Sequence, residues 1–139
     1  MTNVIAASAA LLVAVLAAQQ PAAPALDYEY FKQNVQPVFV KKRVGHAKCT
    51  SCHAGEGSPV FALQPLAKGK TTWTEEESRK NFAAIQKVAI AGNAKSMLLI
   101  HPLDESAGGD FYHSGGKHWT SQSDPEWQLL RNFVMGQTK

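Results

Sequence analysis

Cysteine occurs twice in the 139 residues, and both copies fall in one pentapeptide, Cys49-Thr50-Ser51-Cys52-His53. Two thiols three positions apart, followed at once by an imidazole, form the attachment signature of c-type haem. The chemistry explains the spacing. Thiols on one short turn add to the two vinyl groups of a single porphyrin, and the next residue is then held beneath the iron as its proximal ligand. The motif predicts one haem c, covalent through Cys49 and Cys52. A zinc site, a redox dithiol and a simple disulfide are the alternatives. Zinc is the weaker reading because a structural zinc site takes four ligands and no second cysteine pair is present. A thioredoxin-like dithiol is also weaker, because Val44-Gly45-His46-Ala47-Lys48 does not read as a strand leading into the motif.

The beginning of the chain is consistent with this chemistry. Residues 4–18 are an almost unbroken apolar run, followed by the polar, proline-broken Gln19-Gln20-Pro21. The run fits a secretory h-region better than a full membrane span of about 20 residues. Cleavage after Ala18 or Ala25 sends the remainder out of the cytoplasm, whereas an uncleaved run makes a membrane tether. The n-region, Met1-Thr2-Asn3, has no Lys or Arg. The expected division is therefore a signal peptide or N-terminal anchor at 1–25 and one domain at 26–139, periplasmic or otherwise extracytoplasmic, with membrane association through 4–18 as an option. A domain of this size has a small core, and a porphyrin enlarges it. The net charge of +3 is too mild to suggest nucleic acid.

The pattern after the leader is helical. Asp27 caps a segment with Tyr28, Phe31, Val35, Val38 and Phe39 at helical spacing, which Pro37 should kink or end. Thr74 and Glu77 form a capping box that opens a helix through Phe82, Ile85, Val88 and Ala89 to Gly92-Asn93. Ser96 to Ile100 is a short apolar turn of helix. Asp124-Pro125 opens a last helix with Trp127, Leu130, Phe133 and Val134 inward and Gly136 as its stop. The expected fold class is all-α, with three main helices around one haem. Gly108, Gly109, Gly115 and Gly116 lie in a loop rich in Ser, His and Asp, where glycine lets the backbone approach a flat group.

The stretch from Tyr30-Phe31 to Val35-Gln36-Pro37-Val38-Phe39, shortly before Cys49-Thr50-Ser51-Cys52-His53, resembles the entry to a class I cytochrome c domain. More narrowly, the chain is similar to the small haem-binding modules common in planctomycete and acidobacterial proteins. Ser96-Met97-Leu98-Leu99, His113-Ser114-Gly115-Gly116 and Asp124-Pro125-Glu126-Trp127 extend the likeness over most of residues 26–139. The resemblance implies a monohaem electron carrier between redox complexes, with redox proteins or a membrane electron-transfer complex as partners. It also implies a role for Pro59 near the proximal ligand, where a neighbouring carbonyl orients the imidazole.

Class I domains usually supply a methionine as the sixth iron ligand from a loop before the last helix, and here that loop has none. His113, followed after one residue by two glycines, is the expected ligand, with His101 and Met97 as alternatives. Met97 and Met135 read as core filling. His46 and His118 read as surface residues or propionate partners, and Trp73, Trp119, Trp127, Phe61 and Tyr112 as pocket walls. Lys41, Lys42, Arg43 and Lys48 form either a basic rim that steers an acidic partner or a set of cations at a helix C-terminus. No nucleophile, base and acid set suggests an enzyme. A haem enzyme or gas sensor with a displaceable sixth ligand, and a permanent haem subunit of a respiratory or photosynthetic complex, are the competing functions.

Overall fold

The computed structural model describes residues 24–138 apart from Glu56, Ser58 and Pro59. The leader expected at 1–25 therefore lies almost wholly outside the described residues, as does Pro59. The described chain is helical and contains no strand. In order it comprises α1 (Tyr28–Tyr30), a π turn (Phe31–Val35), α2 (Gln36–Val40), α3 (Cys49–His53), α4 (Glu75–Ile85), α5 (Met97–Ile100), a 3-10 turn (Glu105–Ala107) and α6 (Pro125–Met135). Among the described residues no helix is long and apolar enough to cross a membrane.

The first three elements run without a break. Asp27 accepts a hydrogen bond from the Tyr30 amide and caps the start. Pro37 does not end the helix, which continues to Val40 before Lys41 turns extended. The widened π turn lies just ahead of the proline, and the Gln36 amide reaches back five residues to the Phe31 carbonyl. Such turns change the helical register locally, where a proline ring and its missing N–H otherwise disrupt it.

Phe31, fully buried on this segment, is the hub of the core. Its ring centre lies 5.4 Å from that of Phe82 on α4 and 5.6 Å from that of Phe133 on α6. Val35, Ile85, Leu99, Leu103, Leu130 and Val134 complete a continuous apolar cluster. α4 has the full capping box, Thr74 and Glu77 satisfying each other's backbone N–H. It ends at Ile85, earlier than Gly92, because Gln86 to Val88 turn and bring Val88 and Ala89 into the core as turn residues. α6 starts on Asp124, which accepts from the Glu126 and Trp127 amides, and stops on Gly136 in the left-handed region.

Two irregular loops are clasped at their bases. The first leaves α3 and returns where Leu63 N–H donates to the His53 carbonyl at 2.6 Å and Gly55 N–H to the Leu63 carbonyl at 3.0 Å. The second runs from Leu103 to Trp119, closed by Asp104 N–H to the Trp119 carbonyl at 2.8 Å and His118 N–H to the Pro102 carbonyl at 2.8 Å. Gly109 serves this second clasp and not a flat ligand: a Cβ there meets the Leu103 carbonyl oxygen at 1.9 Å. Gly109→Ala is expected to displace the loop base and cost about 1 to 3 kcal/mol by chemical denaturation. An unchanged midpoint contradicts that account.

Candidate functional site

The two clasped loops and α3 surround an open pocket with about 930 Å³ of empty space, part of it continuous with solvent. Cys49, Cys52 and His53 form one side, with Phe61 beside them. His101, His113 and Gly115 come from the α5 end and the second loop, and Val88, Leu98 and Leu130 supply an apolar floor. The pocket therefore brings together the Cys-x-x-Cys-His motif and both sequence-predicted histidine candidates for the sixth position.

α3 is a single helical turn, so Cys49 and Cys52 share a face. Both are free thiols, Cys49 half-buried and Cys52 exposed. Burial pushes the Cys49 thiol up, and the Arg43 guanidinium beside it partly offsets this. His53 lies flat against Phe61, ring centres 4.4 Å apart and planes 9° from parallel. Its ring is also hydrogen-bonded to the Phe61 backbone carbonyl. That contact orients the imidazole in the way expected of a carbonyl near Pro59, and here Phe61 provides it.

Across the pocket the His113 ring centre is 6.3 Å from that of His53, with the planes 10° from parallel. His113 Nδ1 is hydrogen-bonded to the Gly116 carbonyl at 2.6 Å. Gly115 leaves room for the imidazole, since a Cβ there lies 3.2 Å from His113 Cε1 and would press on the ring. Burial lowers the pKa of His53, and His113 and His101 nearby lower it further against the opposing Phe61 hydrogen bond. Burial likewise lowers that of His113, opposed by the Gly116 carbonyl. Both rings are thus held in the neutral form that coordination to a metal requires.

All five histidines of the chain join this cluster. His101 lies 5.0 Å from His113, His118 lies 5.7 Å from His113, and His46 lies 4.9 Å from His118, measured between ring centres. His118 is not a surface residue: it lines the pocket, and burial with the Arg43 charge pushes its pKa down to about 4. The alternation of Gly, Lys and His around residues 115–118 carries no periodic signal that places it inward. Its direction is set by the Pro102 clasp.

Several expectations for neighbouring residues need correction. Met97 is 41% exposed at the pocket edge and fills no core, because the short α5 turns Leu98 and Leu99 inward instead. Met135 is half-buried against the core. Of the aromatic residues expected as walls, Phe61 and Trp119 line the pocket. Trp127 is a core residue whose Nε1 donates to the Leu99 carbonyl, Trp73 donates to the Gln64 carbonyl away from the site, and Tyr112 is exposed. The basic cluster is largely used up within the fold. Arg43 Nη2 lies 2.5 Å from Glu126 and donates to the Val38 carbonyl at the end of α2, Lys41 pairs with the same Glu126, and Lys42 donates to the His46 carbonyl. Lys48 is left exposed at the pocket wall.

Among the described residues no group of three or more His, Cys, Asp or Glu side chains is arranged to hold a bare metal ion. A porphyrin brings four nitrogens of its own and asks the protein for two, one on each side. Comparison of the chain with protein-family models, curated proteins and solved structures finds no match.

Proposed function

We propose that the chain is a monohaem c-type cytochrome that passes single electrons between redox partners outside the cytoplasm, its iron held between His53 and His113. One observation carries the reading: the His53 and His113 rings, with planes 10° from parallel and centres 6.3 Å apart, share one pocket with a Cys-x-x-Cys pair. An imidazole nitrogen binds a metal at about 2 Å and lies about 1.1 Å from its own ring centre, so two rings holding one atom from opposite sides have centres about 6.2 Å apart. The separation suits a single iron.

Orphaned polar atoms lie on two residues of the pocket lining, Trp119 and His118, and on Arg43, which stacks on Trp119. Arg43 Nη1, Trp119 Nε1 and His118 Nδ1 are all buried without a partner. Arg43 sits over the Trp119 ring at 4.9 Å, so the first two donors lie at one end of the site. Guanidinium and indole N–H groups are obligatory donors, and leaving them buried and unpaired is costly. Haem carries two carboxylates able to take such bonds.

When bound, haem c supplies a one-electron iron couple. The residues decide how that couple behaves. The Phe61 and Gly116 carbonyls fix the two imidazoles in place, so little reorganises when charge changes at the iron between them. The apolar floor of Val88, Leu98 and Leu130 excludes water from one side. Cys49 and Cys52 keep the cofactor from dissociating. Lys42 and Lys48 stay exposed and charged, and Lys41 and Arg43 share one carboxylate, so the run keeps net positive charge and the electron-transfer rate with an acidic partner is expected to fall as ionic strength rises.

The test is the ferric spectrum of the matured protein. Two histidine ligands give a low-spin haem without the weak near-infrared band of methionine sulfur, and a potential on the low side of the c-type range. A methionine band, or a high-spin ferric spectrum at neutral pH, contradicts the ligand pair.

A further inference from the structure

An iron gripped from two sides needs two imidazoles, and the pocket lining holds four, those of His53, His101, His113 and His118. We propose, resting on the haem reading above, that His101 is a second distal ligand that exchanges with His113 at the position opposite His53.

Three observations lead there. His101 lines the same pocket as His113 and His53, and its ring centre is 5.0 Å from that of His113. Second, His101 has the support that a metal-bound imidazole needs. Its Nδ1 pairs with Asp110 Oδ2 at 2.6 Å, and Lys117 holds Asp110 Oδ1 at 3.0 Å and the His101 carbonyl at 3.0 Å. A carboxylate on the far ring nitrogen fixes the tautomer and strengthens the other nitrogen as a donor.

The third observation is a contrast in anchorage. His113 is tied only to its own tight turn, through Nδ1 to the Gly116 carbonyl and Gly116 N–H to the His113 carbonyl at 2.9 Å. His101 caps the C-terminus of α5 and is held by Asp110 and Lys117. One distal ligand is therefore on a short glycine-flanked turn and the other on a braced helix end. In the exchange the His113 Nε2–iron bond breaks and a His101 Nε2–iron bond forms. No electron is transferred: the Nε2 lone pair of His101 replaces that of His113, and any proton on the incoming Nε2 passes to the outgoing one, while His101 Nδ1 keeps its bond to Asp110.

The experiment uses full-length protein matured with its haem, whose mass first establishes that the adduct is present. His113→Ala is expected to stay low-spin at neutral pH, without a near-infrared methionine band, and to take up carbon monoxide slowly. His113→Ala/His101→Ala is expected to become high-spin and take up carbon monoxide at least ten times faster, and added imidazole should return it to low spin with the pocket intact. High-spin iron in His113→Ala alone overturns the proposal while leaving the cytochrome reading standing. Persistent low spin in the double variant also overturns it. A chain that leaves the maturation system without a haem adduct refutes the functional reading itself, and this proposal with it.

Discussion

Replacing both Cys49 and Cys52 by Ala is expected to abolish covalent haem entirely, and His53→Ala to reduce maturation sharply. The two thiols are free, lie one helical turn apart, and face the pocket with His53, so no other side chain can take their place. Each single cysteine variant should retain at most one thioether. The consequence extends to stability, because a porphyrin seated in the pocket would add apolar contacts to a lining that includes Val60, Phe61 and Met97, which are less fully buried than the core beneath. A ligand that binds only the folded form stabilises it by mass action, and a covalent one does so without dissociating. Haem staining after denaturing electrophoresis reads the attachment, and thermal melting by circular dichroism reads the stability. Retained staining in the double variant, or an unchanged melting temperature, contradicts this account.

Glu126→Ala should be the most destabilising change among the charged residues, by about 2 to 4 kcal/mol. Glu126 stands on the first turn of α6, yet its carboxylate contacts Arg43 Nη2 and Lys41 Nζ at 2.5 Å each, beyond the end of α2. The Arg43 and Glu126 side chains are only 10% and 16% exposed, so truncating the carboxylate leaves a mostly buried cation unpaired. Arg43 also borders Cys49 and sits over Trp119, so the loss reaches the pocket. The pH dependence follows from the carboxyl group. Burial alone raises its pKa, but the Lys41 and Arg43 contacts outweigh this and leave it below the ordinary value. The unfolded chain then binds the proton more readily than the folded one. Glu126 thus adds its full stability above the ordinary carboxylate range and loses it as pH falls through the lowered folded value. Denaturation of the native protein and of Glu126→Gln should differ most at neutral pH and converge in acid. A constant gap across that range contradicts the ion-pair explanation.

The helix starts were legible because their causes are local. Asp27, the Thr74 and Glu77 box, and Asp124 before Pro125 each satisfy backbone N–H groups within a few residues, and all three caps are present. The short turn that carries the two cysteines was legible for the same reason, since Cys49 to His53 form one local helical turn. That the helix continues past Pro37 was not legible, because the π turn upstream that accompanies the proline leaves no mark in apolar spacing. The inward placement of His118 and the pairing of Arg43 with a residue 83 positions away depend on which loops close on one another. Met97 was judged by its apolar neighbours, whereas a single turn of helix has room to bury only part of such a run. Gly109 looked like a cofactor contact and proved to be a backbone contact, since glycine marks a close approach without naming what approaches.

The most direct test of the central claim is the mass of the protein isolated from a host competent to attach haem, together with that of its Cys49–Cys52 peptide. The account predicts a polypeptide heavier by one haem, with the addition located on that peptide and neither thiol open to alkylation. A polypeptide of bare mass from such a host, with both thiols reactive, contradicts it.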